Sequence, residues 1–327
     1  MSVKRFEDIR RMIRFDDRRT REARSADDKL AGISFVWELF LDNCRNRIIP
    51  FDSLSVDEQL VPFRGRCNFT QYMPSKPAKY GIKIFWLWDA MTAYALDGII
   101  YTGRKPHEPI RKNLGLNVVK RLAKSMEGSS RNIAVDNFFT SLQLAEEVLQ
   151  KQITVVGTIK ENAKRKPDIM KLYNSTKAGV DEMDQKIRYY TCKRQTRRWP
   201  FALWMNMMDI AAIKSEISFS ARHPSYHGRR SDERRLFQRE FVEEMVRPLM
   251  ELRSQITNVP KKTIDATQRC GLQNDLLSLD QIPQSGIRKR CNYCPYNKHR
   301  KSTVICIKCK RCICKEHCGI VCVSCLS

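Results

Sequence analysis

Short apolar blocks, several with alternating polar positions, recur along residues 48–220. Three of them, LSVDEQLVPF, YGIKIFWLWD and TAYALDGIIYTG, are rich in β-branched and aromatic residues and predict strands, the last two forming a hairpin. Farther along the chain, NIAVDNFF and ITVVGTIK predict two more strands. The pattern therefore predicts five strands in this segment.

Apolar residues at helical spacing mark the segments between and after these strands. LGLNVVKRLAKSM lies before the fourth strand, and TSLQLAEEVLQKQ, which we expect Thr140 to open with Gln143 as its capping partner, lies before the fifth. Two more helices are predicted, over GVDEMDQKIRYY and from Pro200 onward. The order βββαβαβ resembles the ribonuclease H-like plan, so we expect an α/β fold with a mixed sheet and helices on both faces.

Four aspartates stand at notable places in this plan. Asp57 lies on the first strand and Asp136 ends the fourth, its expected neighbour, whereas Asp181 and Asp184 lie one helical turn apart in the following helix. Taken singly, an aspartate at such a position more often has a structural role in a turn, a cap or a strand end. Asp89, in the hairpin turn, is the nearest alternative candidate for the metal-binding role. Converging carboxylates would repel and raise one another's pKa, so the cluster would need divalent cations. We expect two Mg²⁺ ions. Such a site can support in-line attack on a phosphodiester.

The charge balance favours a polyanionic partner. The chain has 60 Lys and Arg against 36 Asp and Glu, a net charge of +24 and a pI near 9.7, which favours nucleic acid. The longest apolar stretch carries Asp89 and Asp97, so no membrane segment is expected. The first residues lack a secretory signal, which predicts a reducing compartment, and IRKR with KHRK suggests import into the nucleus.

Nine of the 13 cysteines crowd between residues 291 and 325. In a reducing compartment they predict metal ligands rather than disulfides. Four pairs with two intervening residues supply eight ligands for two tetrahedral Zn²⁺ ions, and we expect the first and third pairs to share one ion and the second and fourth the other. The pairs are Cys291/Cys294, Cys306/Cys309, Cys314/His317 and Cys322/Cys325, which leaves Cys312 and Cys318 as substitutes.

The cysteine-rich segment could belong to one of several kinds of zinc module. RING-type and PHD-type fingers usually separate the third pair from the fourth by more than CGIV, so the ligand order suits neither. Basic loop residues suit contact with DNA phosphates, and a purely structural role for zinc is the alternative. These residues are Lys298, Arg300, Lys301, Lys310 and Arg311.

Composition divides the chain into five predicted segments. A ribonuclease H-like domain over 48–220 follows a helical region at 1–47, and a linker over 257–290 precedes the zinc segment at 291–325. The intervening 221–256 predicts a helix with an apolar stripe, for which core packing is favoured over pairing of chains. The stripe comprises Leu236, Phe241, Met245, Leu249 and Leu252.

Several long motifs in register resemble the piggyBac transposase family. They are SVDEQLVPFRGRCNFTQYMPSKPAKYGIKIFWLWD, SRNIAVDNFFTSLQLAEEVL, VVGTIK, YNSTKAGVDEMDQ and RRWPFALWMNMMDIA, which together span most of residues 5–220. The zinc segment is also similar to the family's cysteine-rich C-terminal domain, including ICKEH at the third pair.

This resemblance implies a metal-dependent cut-and-paste DNA transposase that excises through a hairpin intermediate and inserts at TTAA. It assigns Asp57, Asp136 and Asp181 to the catalytic triad and Asp184 to an additional acidic position. The implied partner is double-stranded DNA carrying terminal repeats, and a homodimer is left open.

Trp199, in RRWP, matches a family aromatic residue near the DNA. With Arg197 and Arg198 directly before it, the Trp199 indole could stack on an extruded base beside neutralised phosphates. The alternative is a core anchor for the helix that starts at Pro200.

The chain also departs from the family pattern. The resemblance makes 1–47 a remnant of a longer helical region for dimerisation and DNA binding, and ENAKRKPDIMKL the remainder of a nearly absent insertion. Three functions therefore stay open: a metal-dependent transposase, a DNA-binding or chromatin protein derived from one, and a zinc-finger interaction protein.

Overall fold

The computed structural model describes residues 3–103, 113–158, 173–176, 179–226, 232–254 and 284–317. The chain divides into two compact units, Met1–Gly228 and Arg229–Ser327. The first unit contains both the predicted N-terminal helical region and the predicted domain over 48–220. The remaining insertion residues, ENAKRKPDIMKL, lie outside the described residues.

The first unit combines helices with a mixed sheet. Its helices are α1 Val3–Met12, α2 Arg18–Asp27, α3 Ser34–Arg45, α4 Leu114–Ala123, α5 Leu142–Leu149, α6 Gly179–Tyr189 and α7 Trp199–Arg222. Its strands are β1 Ser53–Pro62, β2 Gln71–Tyr72, β3 Tyr80–Asp89, β4 Ala95–Ile100, β5 Asn132–Val135 and β6 Thr154–Gly157.

The sheet has the strand order that the sequence pattern predicts. Strand β3 pairs antiparallel with β1 and with β4, and β1, β5 and β6 are parallel neighbours. The two-residue strand β2, which the pattern does not predict, pairs with the start of β3. The α/β fold with a mixed sheet is therefore confirmed.

Alternation along the strands divides the core into two layers. Leu54 and Val56 of β1 pack with α4 and α5, whereas Val61 of the same strand packs with α3, α6 and α7. Because neighbouring side chains on a strand point to opposite faces, odd-numbered β1 residues face α6 and α7. This alternation determines which face of the sheet each polar side chain of β1 points to.

Two details of the helices differ from the predictions. Ser141, not Thr140, caps α5, because its Oγ accepts from Leu144 N at 3.1 Å. Thr140 Oγ1 instead donates to the Asp136 carbonyl at 3.0 Å, and Gln143 bonds to Glu147 rather than to the cap. Helix α7 does carry Pro200 in its first turn, as predicted.

The second unit contains one long helix and a small two-stranded sheet. Helix α8 spans Glu233–Ser254, and strand β7, Gln284–Arg290, pairs antiparallel with β8, Lys301–Val304. Residues 284–290, predicted as part of the linker, instead form a strand. They do so because their backbone groups form hydrogen bonds with β8. The apolar stripe of α8 is largely exposed: Phe241, Met245, Leu249 and Leu252 each have more than 40% of their surface exposed. Packing of this stripe against the core stays a prediction.

Within the described residues, no helix is both long enough and apolar enough to cross a membrane.

Gly98 provides a test of packing beside the sheet. A Cβ built there would lie 2.6 Å from Cε3 and Cζ3 of Trp86, a fully buried ring opposite it on β3. We therefore expect Gly98→Ala to destabilise the first unit by about 1–3 kcal/mol, since overpacking forces buried groups to shift. All five tryptophans lie in that unit, so urea unfolding followed by tryptophan fluorescence measures the change.

Gly286→Ala is the matched control, because no heavy atom lies within 4 Å of a Cβ built there. An equal urea midpoint for Gly98→Ala and the unmodified protein would contradict the packing described here.

Candidate active site and metal centre

Asp57 and Asp136 lie side by side at neighbouring strands. Val56 of β1 is in register with Val135 of β5, and the two aspartates are the next residue along each chain. Parallel neighbours lie about 4.8 Å apart, and residues in register point to the same face. Since odd-numbered β1 residues face α6 and α7, both carboxylates belong to that face.

The surroundings of Asp136 leave its carboxylate accessible. Its backbone carbonyl accepts from Phe139 N and Thr140 N, which closes the turn after β5. The side chain is exposed, and Oδ1 lies 3.4 Å from Thr158 Oγ1 and 3.5 Å from Tyr173 Oη. Burial raises the pKa of Tyr173, and the nearby charges of Asp136 and Asp57 add to the shift. Tyr173 therefore lies close to both acids.

Asp184 reaches the same face from helix α6. Its Oδ1 accepts from Gln59 Nε2 at 2.9 Å, and Gln59 lies two residues beyond Asp57 on β1. Burial raises the pKa of Asp184, while the Gln59 hydrogen bond and the charges of Lys76 and Lys193 oppose the shift. Three of the four predicted acids, Asp57, Asp136 and Asp184, therefore lie on one side of the sheet.

The fourth acid, Asp181, lies in the first turn of α6, and its side chain is outside the described residues. Among the side chains that the structure describes, only a Cys₃His set brings three or more potential ligand atoms within 4.8 Å of one another. The convergence of all four aspartates on shared ions therefore stays a prediction.

Two neighbouring acids have structural roles. Asp89 is fully buried and accepts from Phe51 N, Met91 N and Thr92 N, so it holds the hairpin turn as expected. Glu58 lies next to Asp57 but, by alternation, faces the opposite side of the sheet, where its carboxylate is 3.8 Å from Lys83 Nζ.

A basic cavity of about 740 Å³ lies beside the start of α7. Trp199 lines it, packs edge-on against Phe69 with ring centroids 5.1 Å apart, and is partly buried against the main core. The indole thus serves as a core anchor while its remaining surface borders the cavity. The basic residues of the lining are Arg14, Arg18, Arg21, Lys29, Arg66 and Arg198.

The two arginines before Trp199 differ in their surroundings. Arg198 donates to the carbonyls of Arg10, Arg11 and Ile13, so it holds the end of α1, whereas Arg197 is exposed and lines a separate cavity. Burial, together with the charge of Arg14, lowers the pKa of Arg198.

The segment that joins α6 to α7 is held by a buried carboxylate. Asp209 of α7 is 3% exposed and accepts from Thr191 Oγ1 at 2.7 Å and from Cys192 N at 2.8 Å. Burial and the charge of Asp209 raise the pKa of the Cys192 thiol to about 12. The end of α6 is thereby fixed to the middle of α7.

In the second unit, the first and third cysteine pairs come together. Cys291, Cys294, Cys314 and His317 bring one ligand atom each within 4.8 Å of one another. The Cys294 and Cys314 Sγ atoms are 3.5 Å apart, and His317 Nδ1 lies 3.4–3.7 Å from the three sulfurs. Around one tetrahedral zinc, the usual bond lengths give separations of about 3.6–3.8 Å. The set therefore fits a zinc ion, as the interleaved pairing anticipates.

Electrostatics within this set favour one thiolate in particular. Burial alone would raise the pKa of the Cys314 thiol, but hydrogen bonds from the His317 ring and from the backbone lower it to about 6. Burial and the neighbouring thiols raise the pKa of Cys294 to about 11.

The remaining cysteines do not complete a second centre within the described residues. Cys306 is buried and Cys309 partly so, while their expected partners, Cys322 and Cys325, lie outside the described residues, as does Cys318. Cys312 is buried, and its thiol donates to the Ser302 carbonyl at 2.9 Å, which is a structural contact.

Four of the five basic residues expected to contact DNA in this unit are exposed: Lys298, Lys301, Lys310 and Arg311. Arg300 is partly buried and forms an ion pair with Glu316.

Sequence reasoning missed three residues near the acids. Gln59 could have been found, because alternation places it on the same face as Asp57. Asn206 is a polar residue in the apolar run of α7, which signals a buried hydrogen bond. Tyr173 carries no such signal in the sequence.

Comparison with known proteins agrees with this architecture. A family model described as "Transposase IS4" matches residues 1–168 and 163–215. A cryo-EM structure of a piggyBac transposase synaptic complex with hairpin DNA is similar over 99% of this chain and 80% of its own, with a TM-score of 0.75 and 31% identity.

Two human proteins are similar over a shorter stretch. "PiggyBac transposable element-derived protein 3" is 25% identical over 140 residues, which is 41% of this chain and 23% of that protein. "Chimeric ERCC6-PGBD3 protein" is 25% identical over 140 residues, 13% of its length. The chain thus matches about a quarter or less of these two relatives.

The fold and the family model define a transposase-type protein. The chain belongs to the piggyBac transposase family, as its motifs indicate.

Proposed function

We propose that this chain is a metal-dependent DNA transposase, or a domesticated derivative of one, that cleaves and joins phosphodiesters at TTAA sites. The observation that carries the proposal is the pairing of β1 with β5, which sets Asp57 and Asp136 level on one face, with Asp184 joined to that face through Gln59.

The donor set fits divalent cations with a preference for oxygen. Asp57 and Asp136 offer carboxylates on one face, and Asp184 has one oxygen bonded to Gln59. When bound, two Mg²⁺ ions would activate the attacking oxygen and stabilise the leaving one. Asp181 is proposed as a further ligand, one helical turn before Asp184. Asp57, Asp136 and Asp184 would hold the ions, which would orient the scissile phosphate for attack.

Double-stranded DNA is the proposed substrate, with terminal repeats recognised by the basic surfaces. The piggyBac transposase with the similar fold was solved with hairpin DNA. The proposed contacts are the cavity at Trp199, Arg197 and the exposed basic residues of the zinc unit, and we propose that the chain acts in the nucleus.

Cleavage chemistry predicts a strict dependence on Asp136. In the presence of Mg²⁺, we expect the chain to cut duplexes that end in inverted repeats beside TTAA. Asp136→Asn should lower the rate more than about 100-fold, because even the partners of metal ligands change activity ~10–100-fold. Gel analysis of end-labelled DNA measures the products.

Glu58→Gln is the control, since this acid faces the other side of the sheet, and it should cut like the unmodified chain. Cutting by Asp136→Asn at the unmodified rate would refute the aspartate site.

DNA binding at the cavity predicts a salt-dependent role for Arg66. Its side chain is exposed at the cavity rim, so Arg66→Ala should weaken duplex binding and reduce the slope of log affinity against log salt by about 1. Arg19→Ala is the control, because Arg19 is also exposed, is paired with Asp17 and does not line the cavity. Equal salt slopes for the two variants, measured by fluorescence anisotropy, would exclude the cavity as a DNA contact.

We also propose that the zinc unit binds two Zn²⁺ ions per chain, one of them by the Cys₃His set. Mass spectrometry of the purified protein should then find one zinc fewer in Cys314→Ser. Cys312→Ser should keep the full content, because its thiol bonds to a backbone carbonyl. If Cys314→Ser leaves the zinc content unchanged, the proposed Cys₃His zinc site is refuted.

One observation favours a second candidate, a DNA-binding or chromatin protein that has lost cleavage. The basic cavity and the exposed basic residues of the zinc unit do not depend on the aspartates. Steep salt-dependent DNA binding without Mg²⁺-dependent cutting would identify this function. A zinc-finger protein-interaction module, the third candidate, would show neither property.

A further inference from the structure

Gln59 lies at the centre of a buried set of hydrogen bonds behind the acidic face. The residue is 2% exposed, and its amide makes four hydrogen bonds to other side chains, the longest from Nε2 to Met183 Sδ at 4.0 Å. Its Oε1 accepts from Trp86 Nε1 at 3.1 Å and from Asn206 Nδ2 at 2.9 Å, and its Nε2 donates to Asp184 Oδ1 at 2.9 Å. Three separate elements, β3, α6 and α7, therefore meet at one β1 side chain.

The chemistry of these partners fixes the orientation of the amide. An indole N–H can only donate, so the Gln59 group that faces Trp86 must be the carbonyl oxygen. The amide nitrogen then has to face Asp184, where a carboxylate oxygen accepts its hydrogen. Since Trp86 is fully buried, no water can replace the indole as a partner without moving the core.

We propose that Gln59 is a positioning residue that holds the Asp184 carboxylate over the face that carries Asp57, with the Trp86 indole setting the orientation of the Gln59 amide. The inference rests on the proposed metal-dependent function of that face. The hydrogen bond from Gln59 to one oxygen of Asp184 restricts rotation of the carboxylate, and it thereby fixes the direction of the other oxygen. A ligand held in this way loses less conformational freedom when it binds a cation.

Mn²⁺, used as a probe for Mg²⁺, provides a test that needs no DNA. Isothermal titration should show Mn²⁺ binding by the full chain that is lost in Asp57→Asn. Gln59→Met and Gln59→Leu, which both remove the amide and leave a side chain of similar size, should each weaken the binding about 10-fold or more.

Two tryptophan variants separate positioning from packing. Trp86→Phe removes the indole donor, so the Gln59 amide can turn, and Mn²⁺ affinity should fall several-fold. Trp88→Phe is the matched control on the same strand: Trp88 is also fully buried, and its Nε1 makes no hydrogen bond within the described part of the chain. It should leave Mn²⁺ affinity unchanged while creating a similar packing defect.

Duplex affinity without metal separates positioning from a general loss of structure. The Gln59 variants should keep the duplex affinity of the unmodified chain, because the basic cavity does not involve Gln59. Loss of both Mn²⁺ and duplex binding would identify a merely structural residue and overturn the inference.

The remaining outcomes distinguish the two proposals. If the unmodified chain binds Mn²⁺ in an Asp57-dependent manner but both Gln59 variants bind equally well, the positioning role fails and the metal site stands. Equal losses in Trp86→Phe and Trp88→Phe would refute orientation by the indole. If the unmodified chain shows no Asp57-dependent Mn²⁺ binding, the proposed metal site falls, and the role of Gln59 falls with it.

Discussion

The parallel pairing of β1 with β5 is the constraint on which the rest of the acidic face depends. Backbone hydrogen bonds between these strands bring together residues nearly eighty positions apart in the chain and place Asp57 level with Asp136. A shift of one residue in either strand would send its aspartate to the layer formed by α4 and α5. Apolar residues on both faces oppose such a shift, because Val56 and Val135 would leave the core in which they are buried. Hydrophobic packing therefore keeps Asp57 and Asp136 on one face of the sheet.

Much of this fold could be predicted from the sequence, because strand and helix periods are local properties. The five main strands, their order and the start of α7 followed from apolar spacing and from Pro200. Errors arose where a competing local partner decided the outcome: Ser141 rather than Thr140 caps α5, because Thr140 is bonded to the turn at Asp136. Residues 284–290 lack strong strand periodicity, and their strand forms only because β8, within the cysteine-rich segment, pairs with it.

The candidate sites were predictable to different degrees. Cysteine spacing supplied the set of Cys291, Cys294, Cys314 and His317, because tetrahedral coordination restricts the ways in which close pairs can combine. The aspartates could be chosen by their positions on the first strand, after the fourth strand and in the following helix, but the link from Asp184 to Gln59 could not be predicted. That contact depends on how α6 packs across β1, which is a tertiary property without a signature in the spacing of residues.

The carboxylate of Asp209 has a consequence for how the acidic face is assembled. It fixes the end of the acid-bearing helix α6 to α7, the helix whose first turn borders the basic cavity. Two surfaces that differ in charge and in composition are therefore joined through one buried carboxylate. The position of α6 over the sheet, and with it the position of Asp184, is therefore set in part by the packing of α7.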